Sequence, residues 1–464
     1  MHTAHGRPAR RRAASTVWGA GLLAAALLVA ACSDGSTASS SAAPATDASA
    51  AASTEAAETT APTGAPDTTG ATETPGASAG AGDAGDFAGL PPATGEEMLV
   101  GLVNSEGTPG LDFPEIRTDM EAAVEYLNQH GGFGGRSVTL ATCAVKGSPE
   151  TSQACAQEMA GKHVELVLLG LDLFPDYATY TAAGIPVIGV LPILPGDYTA
   201  NALFITGGNA TIAAAIAGVA KEHFEASSVA IVSSDNAGSN QTEASLTASL
   251  DLLGIAHTTV KGGDNETDAG YQGLMREAAQ DNPDVLVSLY SDDGCIGTMR
   301  GRAAMAIDIP VITTSICAGG AVLDEVGDDA LGWTFVGAAP NTDSPAQRIL
   351  QEIVAPTLGV EPGEVDPSEL GLGALGLIQT MSLAKFSNMI AANGAEVTGP
   401  ALFTFLGTEP GLTQWPNGSP VECGRAPKYP TICSFVFPIA EYVEGGGVRS
   451  VDGLETLDAE PYLP

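Results

Sequence analysis

"EIRTDMEAAVEYLNQHGGFGGRSVTL", residues 115–140, changes its period halfway along. Ile116, Met120, Ala123, Val124 and Leu127 recur at the spacing of a helix with one apolar face. "HGG" stops that helix, and "SVTL" begins a strand. A short apolar run, "MLVGLV" from Met98, precedes it, so the unit reads strand, helix, strand. Strands joined through a helix run parallel, because the helix carries the chain back to the starting edge.

Outward from this unit the alternation continues. "SVTLATC", "VELVLLG", "IPVIGVL" and "ALFITGG" read as strands, separated by helical stretches such as "ETSQACAQEMAGK" and "PDYATYTAAG". It restarts after "FITGG": helix "ATIAAAIAGVAKEHF", strand "SVAIVSSD", helix "TEASLTASLDLLG", strand "AHTTVKG", helix "YQGLMREAAQD", strand "DVLVSLY", helix "IGTMRGRAAMA", then strands "IPVITTS" and "WTFVGAA". The order then breaks into two successive helices, "PAQRILQEIVAPTLG" and "LGALGLIQTMSLAKFSNMIAANG", and a β-rich tail, "TICSFVFPIAEYVEGGGVRSV". The expected class is α/β, with two doubly wound, Rossmann-like lobes in series.

The N-terminal portion is built differently. Arg7, Arg10, Arg11 and Arg12 precede "VWGAGLLAAALLVAA", an apolar run too short to span a bilayer comfortably and closed by small residues. That is an export signal over residues 1–31. Val29-Ala30-Ala31-Cys32 resembles the bacterial lipoprotein pattern, which implies that Cys32 is diacylated, becomes the mature N-terminus and holds the chain on the outer face of the cytoplasmic membrane. Residues 32–96 are expected to be a disordered tether of Ala, Ser, Thr, Gly and Pro, with Phe87 as the one aromatic among residues 33–94. "GASAG" at 76–80 has the spacing of a nucleophile elbow, but it lies in this tether without the strand and helix that such an elbow requires.

The formal net charge is -37, with 18 basic and 55 acidic residues, and the leader removes four of the basic ones. A phosphate backbone would be repelled, so nucleic-acid binding is excluded. About 370 residues follow the tether, more than one core usually supports. Six cysteines remain beside Cys32, an even count that in an exported chain reads as disulfides. Proximity along the chain suggests Cys143 with Cys155, Cys295 with Cys317 and Cys423 with Cys433. No C-x-x-C pair occurs and no histidine stands at ligand spacing from a cysteine, so neither a metal nor a cofactor is expected.

From Met98 onward the chain resembles the type I periplasmic solute-binding proteins, and among them the Leu/Ile/Val-binding protein family that serves ABC importers. The stretch at 115–140 is similar to that family's first helix and second strand. "AAGIPVIGV" and "GIAHTTVKGGDNETDAGYQGLMREAAQDNPDVLVSLY" resemble its later strand and helix pairs. Cys143 and Cys155 bracket a segment where the family often has a disulfide. The resemblance implies an N-terminal lobe of residues 97–207 plus 340–411 and a C-terminal lobe of 208–339 plus 412–464. Three crossovers near Gly207, Ala339 and Gly411 would form the hinge. It further implies a monomer that captures a small solute between its lobes, closes, and is read by a membrane permease.

Ligands of open α/β sheets bind outside the carboxyl ends of the strands. Those ends are Asn104, Ser105 and Glu106; Leu171, Asp172 and Leu173; Leu191; and, in the second lobe, Asp235 and Asn236; Tyr290, Ser291 and Asp292; and Ser315. The family's amino-acid binders hold carboxylate and ammonium with hydroxyls and backbone N–H groups after the third and fourth strands. Here "GLDLFPDY" and "VLPILPGDY" put Leu and Pro where Ser and Thr would be expected, and "TTSICAGG" offers no acid. No Arg or Lys stands at these positions, whereas Glu106, Asp172, Asp235 and Asp292 do, so a neutral or cationic, partly apolar solute fits. Each acid can equally serve as a helix cap or a solvated loop residue.

An exported hydrolase and a ligand-sensing receptor domain are the competing readings. Ser233 and Ser234 end a strand, but "IVSSDNAGSN" lacks the flanking glycines of a nucleophile elbow, and no P-loop, metalloprotease helix or dinucleotide fingerprint appears. No chemical step is expected. Nor does any transmembrane or signalling segment follow the last strand, which speaks against a receptor.

Overall fold

The computed structural model describes residues 87–464 except 109–110, 292, 341–342 and 366–369; the leader, Cys32, the tether up to residue 86 and Asp292 lie outside the described residues. The expected strand, helix, strand unit is present as β1 (Gly95–Ser105), α1 (Pro114–Gln129) and β2 (Arg136–Val145). Ile116, Met120, Ala123, Val124 and Leu127 are all buried on the inner face of α1. Gly132 sits at φ +60°, and a Cβ there would come within 2.0 Å of the Arg136 carbonyl oxygen, so this turn requires glycine.

The chain continues through α2 (Pro149–Lys162), β3 (Leu166–Leu169), α3 (Tyr177–Ala183), β4 (Val187–Gly189) and β5 (Leu203–Phe204). These strands form an all-parallel sheet in the order β2-β1-β3-β4-β5. A second alternation runs through α4 (Gly208–Glu222), β6 (Ser228–Ser234), α5 (Ala237–Leu253), β7 (Ala256–Gly262), α6 (Asp268–Ala278), β8 (Val285–Leu289), α7 (Asp293–Ala304), β9 (Val311–Thr314), α8 (Gly320–Val326) and β10 (Trp333–Val336). Then come α9 (Pro345–Leu358), α10 (Gly373–Ala392), α11 (Gly399–Thr408), β11 (Leu412–Thr413), β12 (Pro420–Val421), β13 (Val436–Tyr442), β14 (Val448–Ser450) and β15 (Thr456–Asp458). The second sheet has the order β14-β13-β10-β9-β8-β6-β7, with β13 antiparallel to β10, β14 and β15. Two helices, α8 and α11, are additions to the sequence reading.

Each sheet is covered on both faces. Around the first, one core joins α1 to α9, α10 and α11, and another lies under α2 and α3. Around the second, α4 and α5 cover one face, α6, α7 and α8 the other. The helices that follow β10 therefore return to the first sheet, giving the two-lobed architecture expected from the alternation.

Two expected boundaries move. Phe87, placed in the tether, is 3 % exposed within the first core, Leu90 packs beside it, and the Ala93 N–H donates to the Asn128 carbonyl at 2.9 Å. Phe87 is the first large apolar side chain after the leader, and the first core already includes it. The last crossover falls at Ser434–Phe435 and not at Gly411. Leu412, Trp415, Val421 and Cys433 all belong to the first core, and residues 431–433 pair with the edge of β5 through Phe204 N–H to Thr431 O and Cys433 N–H to Phe204 O. The other two connections between the sheets run from β5 to α4 and from β10 to α9. The cysteines pair as Cys143–Cys155, Cys295–Cys317 and Cys423–Cys433. No helix among the described residues is long and apolar enough to cross a membrane.

Candidate functional site

The carboxyl ends of both parallel sheets carry the residues singled out from the sequence, and several of them serve the fold there. Asn104, buried at the end of β1, donates through Nδ2 to the Phe113 carbonyl (2.7 Å) and accepts the Leu171 N–H at Oδ1 (3.0 Å), stitching β1 to the loop after β3 and to the entry of α1. Leu171 is buried in the first core. Asp172 is buried and accepts from Ser152 Oγ (2.6 Å) and the Phe174 N–H (3.0 Å); burial pushes its carboxyl above the ordinary range, and these two donors oppose that rise. Glu106 is neutralised: Arg117, one turn into α1, pairs with it at 3.0 Å, and Lys146 reaches its backbone carbonyl. The fold thus brings cations to a loop whose own residues are acidic, a pairing that neighbouring sequence does not announce.

In the second lobe Asn236 caps α5, accepting the Ser239 N–H at 2.8 Å, and donates to Asp264 at 2.6 Å. Ser234 Oγ also donates to Asp264, and these two bonds hold the Asp264 carboxyl below the ordinary range. Ser233 Oγ donates to a neighbouring carbonyl. Neither hydroxyl has an imidazole partner among these contacts: Ser233 bonds a backbone carbonyl and Ser234 a carboxylate. Tyr290 lies in the core beneath α6 and α7, edge-on to Tyr271 with 5.6 Å between ring centroids, and burial raises its phenol.

Of the remaining residues Ser105 is buried and the others are more open. Ser105 Oγ is buried with no hydrogen-bond partner. Leu173 and Leu191 are half-buried, while Asp235, Ser291 and Ser315 are exposed. Asp235 accepts a single bond, from Asn240 Nδ2 at 3.1 Å. The sequence reading stopped one residue short of Phe174, which is 40 % exposed on the loop after β3; Ile316, after β9, is 48 % exposed. Each lobe thus carries one exposed large apolar side chain on a strand-end loop, while Leu252, Leu331, Leu358 and Val360 are exposed elsewhere. Disulfides brace these loops: Cys295–Cys317 joins the segments after β8 and β9, and Cys143–Cys155 ties β2 to α2. Two surface hollows of about 360 and 480 Å³ lie elsewhere, between α6 and α7 and beside the C-terminal residues 452–462.

No group of three or more metal-binding side chains occurs among the described residues. The strand-end loops of the two lobes offer hydroxyls, carboxylates and apolar side chains. Such a set can hold a small molecule and can couple its capture to the relative position of the lobes.

Comparison with known proteins agrees with this architecture. The sequence profile described as periplasmic binding protein matches residues 100–404. No curated protein matches the sequence. Among solved structures, an ABC transporter substrate-binding protein from Sphaerobacter thermophilus superposes with a TM-score of 0.60 at 17% identity, over 79% of this chain and 99% of that one. A solute-binding protein from Rhodopseudomonas palustris HaA2, in complex with p-hydroxybenzoic acid, gives 0.56 at 16% identity, over 79% and 98%. A branched-chain amino acid transporter substrate-binding protein from Streptococcus pneumoniae, in complex with isoleucine, gives 0.54 at 14% identity, over 77% and 99%. At these identities the likeness is one of fold, that of the type I periplasmic binding proteins. With the profile match covering well over half its length, this chain belongs to the periplasmic binding protein family.

Proposed function

We propose that this protein is the extracytoplasmic substrate-binding component of an ABC importer, anchored by a lipid on Cys32 and working as a monomer. It captures a small solute between its lobes, and the partner permease reads the closed form. The observation that carries this reading is the pair of doubly wound sheets, each with a large apolar side chain, Phe174 or Ile316, standing exposed on a strand-end loop. Ser105, Leu173, Leu191, Asp235, Ser291 and Ser315 are the side chains we assign to solute contact. Asp292, next to Ser291 in the sequence, is assigned with them.

The solute is neutral or cationic and partly apolar. Glu106 already holds Arg117, and Lys261 is committed to Glu243 at 3.0 Å and Asn240 at 2.6 Å, so neither cation is free for an anion, while Asp235 remains open to a cation. A thermal-shift screen of the mature chain across amino acids, amides, polyamines and quaternary amines tests this. Saturable stabilisation by one neutral or cationic class is expected; stabilisation confined to free branched-chain amino acids would contradict the solute assignment. Replacement of Cys32 by Ser should release the protein from the membrane fraction, and retention there would contradict the anchor.

A further inference from the structure

The loops after β3 and β4 each enclose a carboxylate directed at their own backbone. Asp172, 2 % exposed, takes the Phe174 N–H at 3.0 Å and the Ser152 hydroxyl at 2.6 Å. Asp197, 4 % exposed, takes the N–H groups of Ile193 and Leu194 at 2.8 and 2.9 Å through one oxygen and the Tyr177 hydroxyl at 2.8 Å through the other. Asn104 Oδ1 takes the Leu171 N–H. Backbone N–H groups at the carboxyl ends of parallel strands are the groups with which an open sheet receives an anion. Four of them here, on Leu171, Phe174, Ile193 and Leu194, already have an internal acceptor.

The nearby cations are committed as well. Arg117 bonds Glu106 at 3.0 Å and Glu121 at 2.9 Å, and Lys146 bonds the Glu106 carbonyl oxygen. A carboxylate brought to this wall would meet two buried carboxyl groups and no free donor of charge. Exposed Phe174 and half-buried Leu173 and Leu191 offer it only apolar surface.

We propose that Asp172 and Asp197 are specificity-determining residues: by occupying the strand-end N–H groups they close the first lobe to free carboxylates and restrict the solute to molecules without one. This rests on the binding-protein reading and narrows it to a chemical class. An amide, an amine or an uncharged ring is admitted where the corresponding acid is refused. Neither aspartate needs to touch the solute; each acts by using up donors that a carboxylate would require.

Matched pairs test this on the mature chain by thermal shift and calorimetric titration: isoleucine with isoleucinamide, 4-hydroxybenzoate with 4-hydroxybenzamide, and phenylacetate with phenethylamine. The wild type is expected to favour the member lacking a carboxylate at least tenfold in each pair that binds. Asp172→Ala and Asp197→Ala remove the acceptor and free the N–H groups it holds, and in either variant the preference should shrink at least fivefold. Asp172→Asn and Asp197→Asn, which keep an oxygen to accept the same N–H groups, should retain the preference and serve if an Ala variant fails to fold; loss of the preference in them would contradict the donor-occupancy mechanism. A carboxylate bound as tightly as its partner would overturn the inference while leaving the binding-protein reading intact. Folded Ala variants with unchanged preference would overturn the assignment to these residues. No stabilisation by any pair member or by the wider solute screen would remove the reading on which the inference stands.

Discussion

Asp119 sits on the inner side of α1, buried against the start of α10, where a Cβ on Gly373 would come within 2.2 Å of its Oδ2. Burial, aided by the charge of Glu115, pushes its carboxyl up to about 6. An acid whose folded value exceeds its unfolded value destabilises the fold only when ionised. Below pH ~4 the group is protonated in both states and costs nothing; between about 4 and 6 stability falls as pH rises; above 6 the full penalty, about 3 kcal/mol, is present. Asp119→Asn should therefore be more stable than wild type in urea unfolding at pH 7.5, with the difference gone by pH 4. A difference independent of pH would contradict this. At this scale the sequence is least informative. Asn236 could be read as a cap because its partner, Ser239, is three residues on. Asp172 could not be resolved, since one of its donors, Ser152, lies twenty residues away on another helix. Tyr290 stands at a strand end in the sequence but in the core of the structure, because α6 brings Tyr271 across it.

Among elements, α1 and α10 pack with their backbones close together. A Cβ on Gly376 would stand 2.8 Å from the Ile116 carbonyl oxygen and 2.9 Å from Met120 Cγ, so the two helix backbones meet because α10 has no side chain there. Backbone cannot yield as a flexible side chain can. Gly376→Ala should lower unfolding stability by about 1–3 kcal/mol despite alanine's better helix propensity, whereas Gly161→Ala, on α2 with open space around it, should leave stability unchanged or slightly raised. An unchanged Gly376→Ala would show that the helices separate freely. The alternation of strands and helices was legible because the apolar periods are long and glycine stops separate them. α11 escaped because "GPALFTFLGT" is apolar nearly all round and has no period to read, although Thr398 caps it and proline follows within its first turn. α8 is seven residues, too short for a helical period to show. The antiparallel addition of β13 to β10 depends on pairing between segments a hundred residues apart, which local pattern does not encode.

In the whole molecule, three chain segments join the lobes, and a brace lies beside the third. The loop closed by Cys423–Cys433 is held to the first sheet, yet its Arg425 reaches Asp458 (2.5 Å) and Glu460 (2.6 Å) near the C-terminus, which packs on the second lobe. Its guanidinium also lies over the Phe435 ring at 4.9 Å from the centroid, and Tyr198, Tyr429 and Leu463 pack around Phe435 and Ile432. Arg425→Met removes these ion pairs at a cost of about 1 kcal/mol, because both carboxylates are partly in water. Under the proposed hinge closure, its main consequence is expected in the distribution between open and closed forms. The misplacement of this crossover at Gly411 has the same origin as the brace. The segment from Leu412 to Cys433 contributes core residues to one lobe and a charged side chain to the other, and composition alone cannot divide it.

The account is tested most directly by small-angle X-ray scattering of the mature chain, with and without a saturating concentration of the solute that stabilises it. Closure around a bound solute predicts a smaller radius of gyration in its presence, and in the Arg425→Met variant an altered radius without solute that converges on the wild-type value when solute is bound. Saturable binding with no change in the radius in either protein would contradict capture by hinge closure.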